Sequence, residues 1–339
     1  VSWTNPRTLE ERAPQRFAAI DLEDAAARLA GVVRRTALRP IPVGDPRIEL
    51  RGKMENEQVT GAFKARGAWN QVSRLDPEQR RAGVVCPSSG NHGKALAWAA
   101  REAGVHAVIV MPDDAYPNKV EACRELGAEV ILVAGRDAAE EICRERVRQG
   151  AVLVHPYEAE RTLQGAGTVG LEIAHDWPEV EVVAIPVGGG GLLAGSSLAL
   201  RRELGAAVRI LGVEPEGAPS MSLGLAAGRP VPLKRIDTQV QGLCPPYSGE
   251  INIAIGLETV DAVALLSDEA IFAAQARLVR AGHRVEPAGA ASAAGVLSGG
   301  IPAPWLEGRG ARHPLRVVAV ISGGNADPRQ LEGLRAGDA

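Results

Sequence analysis

The sequence predicts an α/β protein of two lobes, each built on a mostly parallel twisted sheet flanked by helices, and three observations carry that prediction. Short β-branched runs alternate with Ala-rich amphipathic stretches, the pattern of parallel strands joined by right-handed helical crossovers. Such crossovers lay helices over the strands, so the sheets are expected to be covered rather than open to water. Glycine- and serine-rich turns follow several strands, at the carboxyl ends where sheets of this class bind ligands.

Taken in order, the predicted strands are 48–51, 83–86, 106–111, 129–133, 152–155, 182–187, 209–213, 260–265 and 315–321. Helical periodicity fills most of the gaps, at 91–103, 118–126, 137–148, 168–175, 192–204, 268–281 and 288–297. The helices 118–126 and 137–148 each precede an apolar strand, and with their neighbours they define a small unit over 77–158. Strands before and after that unit leave a large, discontinuous one, 1–76 with 159–339. The proline-rich piece 301–305 and the polar 307–313 read as a surface loop.

Composition narrows the function. With 339 residues, 45% of them hydrophobic and 23% charged, the chain can bury a large core. A formal net charge of -3 without a basic run argues against nucleic acid or an anionic membrane as partner. No stretch approaches the roughly 20 apolar residues of a membrane helix. Cys86, Cys123, Cys143 and Cys244 form no Cys-x-x-Cys pair and read as small buried residues in a reducing, cytoplasmic setting.

Four motifs carry chemistry. Lys64, in Thr60-Gly61-Ala62-Phe63-Lys64, opens a helix straight after a Thr-Gly turn, a position that disfavours an ammonium. It is either a solvated surface charge or a nucleophile of depressed pKa. Between the strand 182–187 and the next helix, Gly188-Gly189-Gly190-Gly191 lets backbone N–H groups converge on an anion, and a phosphate is the natural occupant. From Gly189 the same run satisfies Gly-x-Gly-x-x-Ala, the dinucleotide signature, but Arg201, Arg202 and Glu203 follow, and the next strand-end acid is Glu214. A nicotinamide-dependent dehydrogenase is therefore the weaker use of this loop. In Cys86-Pro87-Ser88-Ser89-Gly90-Asn91-His92-Gly93, hydroxyls and free donors at a helix start suit a carboxylate, with simple capping as the competing reading. Ile321-Ser322-Gly323-Gly324-Asn325 places a neutral hydroxyl after the last strand.

Together, and in this order, these motifs resemble the fold-type II pyridoxal-phosphate enzymes, within them the threonine/serine dehydratase and serine racemase family. Gly165-Ala166-Gly167-Thr168, Gly212-Val213-Glu214-Pro215 and Val285-Glu286-Pro287-Ala288-Gly289 extend the likeness from about residue 50 to about residue 327. The resemblance implies pyridoxal 5'-phosphate in the cleft between the lobes, with Lys64 as its Schiff-base lysine. It implies that Gly188, Gly189, Gly190, Gly191 and the Leu192 N–H hold the phosphate, Asn91 the ring hydroxyl and Ser322 the pyridine nitrogen. Phe63 is placed by adjacency, as packing under the cofactor. Ser88, Ser89, Gly90, Asn91 and His92 would receive the substrate carboxylate, and Ser89 would face Cα opposite Lys64.

The implied activity is dehydrative deamination of L-threonine, L-serine or a related 3-hydroxy amino acid, with serine racemisation as the alternative. A homo-oligomer, dimer or tetramer, is implied as well. Three departures from the family bear on substrate choice: Ala62 replaces a common serine, Lys94 replaces a common glutamine, and the segment from Gln239 to Tyr247 lacks the usual Ala-Asp-Gly pattern. A divalent cation would use Glu214 and the carbonyl of Ala218, but Ser220 stands where a second acid is expected. Two ligands and a hydroxyl make a poor magnesium site.

Overall fold

In a computed structural model, which describes residues 2–88 and 90–336, the strands are β1 (Trp3–Thr4), β2 (Leu38–Pro40), β3 (Ile48–Lys53), β4 (Val84–Pro87), β5 (Ala107–Pro112), β6 (Glu129–Val133), β7 (Val152–Leu153), β8 (Val182–Pro186), β9 (Arg209–Pro215), β10 (Ala262–Leu266) and β11 (Leu315–Val320). They form a seven-stranded sheet, ordered β1-β10-β9-β8-β11-β3-β2, and a four-stranded sheet, ordered β6-β5-β4-β7. All pairings are parallel except β1 with β10 and β2 with β3, at the two edges of the larger sheet. Those two edge strands are the ones that the sequence reading lacks. At two and three residues they are too short to show a period of their own.

The parallel strands are buried on both faces, which explains their apolar run in sequence: every residue of β8 is buried, and so are six of the seven in β9. One core surrounds β8, β9 and β11 on the side of the helix Pro287–Leu297, and a second lies under Glu160–Asp176 and Gly191–Leu204. The smaller sheet has its own core, which takes in Ala65, Ala68 and Val72 from the helix Lys64–Val72.

Most predicted helices lie within two residues of the observed ones, but Glu160–Asp176 begins well before the expected 168. Gly165 and Gly167 read as helix breakers in sequence. In the fold they are contact points: a Cβ on Gly165 would lie 2.5 Å from the Arg66 carbonyl oxygen, and one on Gly167 would lie 2.9 Å from that of Gly195. Tertiary contact thus overrides propensity. The 301–313 segment also differs from a plain surface loop, because Trp305 packs against the large core beneath the Arg209 guanidinium. Cys244 is only partly buried, unlike the other three cysteines, and its thiol donates to the Val240 carbonyl at 3.1 Å.

Beneath the helix Lys64–Val72 runs a buried ionic network. The Arg66 guanidinium donates to both Glu55 oxygens, at 2.8 and 2.7 Å, and to both Glu172 oxygens, at 2.7 and 2.9 Å. Lys53 Nζ reaches Glu172 at 2.6 Å, and the Thr36 hydroxyl donates to Glu55. Asn70 and Gln71 add hydrogen bonds to the Arg161 carbonyl and the Thr162 hydroxyl. The helix that begins at Lys64 is therefore fixed along its length.

Candidate active site

The four motif loops follow β3, β4, β8 and β11, all at carboxyl ends, and β11 lies between β8 and β3. That order sets the Ser322 loop beside the approach to Lys64. An antiparallel bridge joins Ala62 to Gly323, the Phe63 N–H donates to the Ser322 carbonyl at 3.1 Å, and the Gly324 N–H to that of Gly61 at 2.8 Å. Two segments far apart in sequence thus form one short ladder.

Lys64 is the first residue of its helix, where the Phe63 cap contributes no side-chain acceptor. Its Nζ donates to the Pro156 carbonyl at 2.6 Å and lies 5.0 Å from the centre of the Phe63 ring. Burial lowers its pKa from the ordinary 10.5 to about 8. The sign of the linkage follows: the buried ammonium costs the cofactor-free fold stability at and below that value. The cost disappears as pH rises from about 8 towards 10.5. Acylation of Lys64 in cofactor-free protein, followed by peptide mass spectrometry, should titrate with a midpoint near 8 rather than with the surface lysines. A midpoint near 10.5 would mean that the amine is solvated.

The glycine loop has the donor pattern of an anion cradle. Its carbonyls are drawn to one side: that of Gly188 accepts from Ser248 at 3.2 Å, that of Gly189 from Asn252 Nδ2 at 2.7 Å and the Gly249 N–H at 3.1 Å, and that of Gly190 from the Ala194 N–H at 2.8 Å. Among the described residues, the N–H groups from Gly188 to Leu193 meet no acceptor. Gly190 has φ +90, in the left-handed region, and a Cβ on Gly189 would lie 2.2 Å from the Tyr157 ring. Unpaired buried donors at the start of the helix Gly191–Leu204 fit a phosphate in charge and geometry.

Opposite stands the start of the helix Asn91–Ala103. Ser88 Oγ accepts from the Gly90 and Gly93 N–H groups, at 3.3 and 3.1 Å, so this hydroxyl caps the helix. Ser89 lies outside the described residues. His92 is buried with Nε2 at 2.7 Å from the Val154 carbonyl, and burial, with a smaller contribution from the Lys64 charge, lowers its pKa to about 3. It is a neutral imidazole whose Nδ1 has no partner among the described residues, so it brings no positive charge to a carboxylate. The N–H groups of Asn91 and His92, in the first turn, meet no acceptor among the described residues. Ser322 is buried, its hydroxyl 3.4 Å from the Ala288 carbonyl.

Asn91 is held from both ends: its Oδ1 accepts from Asn325 Nδ2 at 2.7 Å, and its Nδ2 donates to Glu286. Glu286, Asn325, Tyr157 and Asn252 are site residues to which the sequence reading attached no role. Glu286 and Asn325 fall inside motif stretches and could have been found there. Asn252 carried no signal, because it sits in a helix, Glu250–Thr259, that the periodicity did not reveal.

Glu214 is fully buried and accepts from the Met221 N–H at 2.7 Å, the Ser222 N–H at 2.9 Å and the Ser222 hydroxyl at 2.8 Å. Burial raises its pKa to about 7 while those donors pull it down. The Ala218 carbonyl takes the Ser220 N–H at 2.9 Å. Both proposed cation ligands are thus engaged in the start of the helix Ser220–Ala227, and among the described residues no three His, Cys, Asp or Glu side chains gather at a metal site. No helix among them is long and apolar enough to cross a membrane.

Comparison with known proteins bears on this arrangement. Residues 29–323 match the family described as pyridoxal-phosphate dependent enzyme. An L-threonine ammonia-lyase of Thermotoga maritima is 38% identical over 317 residues, which span 92% of this chain and 76% of that protein. A catabolic L-threonine dehydratase, TdcB, of Staphylococcus aureus is 36% identical over 327 residues, 93% of this chain and 90% of that protein. Among solved structures, maize serine racemase superposes with a TM-score of 0.84 at 32% identity, covering 94% of this chain and 96% of that one.

Proposed function

Because the chain belongs to the pyridoxal-phosphate-dependent enzyme family, as a lyase of the threonine dehydratase type, we propose that it converts L-threonine, L-serine or a related 3-hydroxy amino acid to a 2-oxo acid and ammonia. The Cα–H and Cβ–O bonds break and water leaves; the enamine that remains takes up water as it releases ammonia. The observation that carries the proposal is a buried lysine amine of lowered pKa, on a helix start tied to the Ser322 loop, in a cleft that also holds an unpaired N–H cradle.

Pyridoxal phosphate, when bound, supplies the electron sink for the bond broken at Cα. The chain's own residues do the rest. The N–H groups of Gly188, Gly189, Gly190, Gly191 and Leu192 would hold the phosphate, Asn91 Nδ2 the ring oxygen, Ser322 the ring nitrogen, and Phe63 would pack beside it. A neutral hydroxyl at Ser322 does not hold a proton on that nitrogen as a carboxylate would, which favours prompt loss of the β-hydroxyl over a lasting carbanion. Lys64, with its pKa near the working range, takes the Cα proton. The first-turn N–H groups of Asn91 and His92, with Gly90 and the Ser88 cap that shapes the turn, would receive the substrate carboxylate. Ser89 keeps its proposed place on the other face of Cα. Two sheets with separate cores support lobes at 77–158 and at 1–76 with 159–339, the helix Lys64–Val72 lending its buried face to the smaller.

A panel of 3-hydroxy amino acids assayed for 2-oxo acid release tests the reading. Turnover of threonine or serine is the expected result, and no release from any member of the panel would reject it. The likeness to maize serine racemase favours racemisation as the second reading. Chiral analysis of serine after incubation decides that point, and an unchanged enantiomeric excess rejects it.

A further inference from the structure

Lys94 lies one turn into the helix Asn91–Ala103, partly buried, and its Nζ donates to Asn325 Oδ1 at 3.1 Å. Asn325 passes the polarity on, its Nδ2 donating to Asn91 Oδ1 at 2.7 Å and to the Thr60 carbonyl at 2.9 Å. Asn91 then donates through Nδ2 to Glu286. An ammonium has donors only, so the relay has one direction. Lys94 takes the oxygen of Asn325, Asn325 takes the oxygen of Asn91, and Asn91 is left with its N–H₂ turned to the far side. The Thr60 carbonyl enforces the same orientation of Asn325 but adds no charge.

A glutamine at position 94, the common residue of the similar family, would either donate or accept, and it is neutral. The cation is what this chain adds. In a partly buried chain of hydrogen bonds, a charge at one end polarises each amide in turn and strengthens the last donor.

We propose that Lys94 is a positioning residue, the cationic end of a relay through Asn325 that orients and polarises the Asn91 amide, so that the ring oxygen of bound pyridoxal phosphate is held as an anion. The inference rests on the reading that Asn91 Nδ2 faces that oxygen. It concerns the electronics of the cofactor rather than the choice of substrate.

The test compares Lys94→Gln, Lys94→Met and Lys94→Arg with Asn91→Ala, all as holoenzymes. Two readouts matter besides activity: retention of pyridoxal phosphate on dilution, and the ratio of visible bands that reports ionisation of the ring oxygen. Losing the charge should weaken retention about three- to tenfold, the range of one net hydrogen bond, and shift the bands towards the neutral oxygen. Lys94→Arg should stay within about twofold of the parent, and the cofactor-free melting point should not move, which separates this role from a purely structural one. If Gln and Met leave both readouts unchanged while Asn91→Ala alters them, the relay is wrong and the Asn91 contact stands. Equal losses in Arg and Gln would also overturn it, because charge would then not matter. If Asn91→Ala is itself silent, the reading beneath the relay falls with it.

Discussion

Lys64→Ala should slow 2-oxo acid release from L-threonine or L-serine by about 10²–10⁴-fold, the usual worth of a positioned base, and by more where the covalent link to the cofactor also matters. Among the described residues, neither nearby histidine can take over. His92 is neutral, with its Nε2 committed to the Val154 carbonyl. His155 is engaged too, its Nδ1 accepting from the Tyr157 and Glu158 N–H groups. The phosphate cradle is backbone and stays intact in the variant, so pyridoxal phosphate should still be retained, though borohydride should no longer fix it to the protein. That combination separates loss of chemistry from loss of folding. A Lys64→Ala protein with undiminished turnover would mean that the base lies elsewhere.

The second large effect is on stability. Arg66→Met should cost about 3–5 kcal/mol in urea-induced unfolding, the typical loss when one partner of a buried ion pair is removed. Burial alone pushes the Glu55 carboxyl up, but Arg66 outweighs it and the net shift is downward. Burial likewise pushes Arg66 down, and Glu55 with Glu172 reverses the sign. Each group is therefore tolerable only because the other is there. Removing Arg66 leaves Glu55 with the Thr36 hydroxyl and a more distant Lys53 charge, while Glu172 keeps Lys53. The double variant Arg66→Met with Glu55→Met should accordingly be more stable than Arg66→Met alone. If the two single losses simply add, the network is not coupled in the way described.

Much of the site was legible because its motifs sit at strand ends, where an apolar run stops and small or polar residues begin. The four glycines, Asn91 and Ser322 occupy such places, while Lys64 stands out by the Thr-Gly turn that opens its helix. What stayed hidden depends on contacts distant in sequence. The first two turns of Glu160–Asp176 look broken until Arg66 and Gly195 are seen to need the glycines there. Ser88 taken alone reads more readily as a cap than as a ligand, and the Gly90 and Gly93 N–H groups show what its oxygen does. That His92 is neutral follows only from its burial against Val154, which the sequence does not show. Asn252 braces the Gly189 carbonyl from 63 positions away, and no local pattern announces that.

The junction at Phe63 and Lys64 has a mechanical meaning. On one side of it, Ala62 is bridged to Gly323, just past the end of β11 in the seven-stranded sheet. On the other, Ala65, Ala68 and Val72 are sunk in the core of the four-stranded one. A rotation of the smaller unit would turn about the helix Lys64–Val72, which Arg66, Asn70 and Gln71 hold to the larger one. The amine there would hardly travel, while Tyr116 and Lys119, which meet Gln241 across the mouth of the cleft, would travel farthest. On such a rotation the rim would open or close without re-aiming the base.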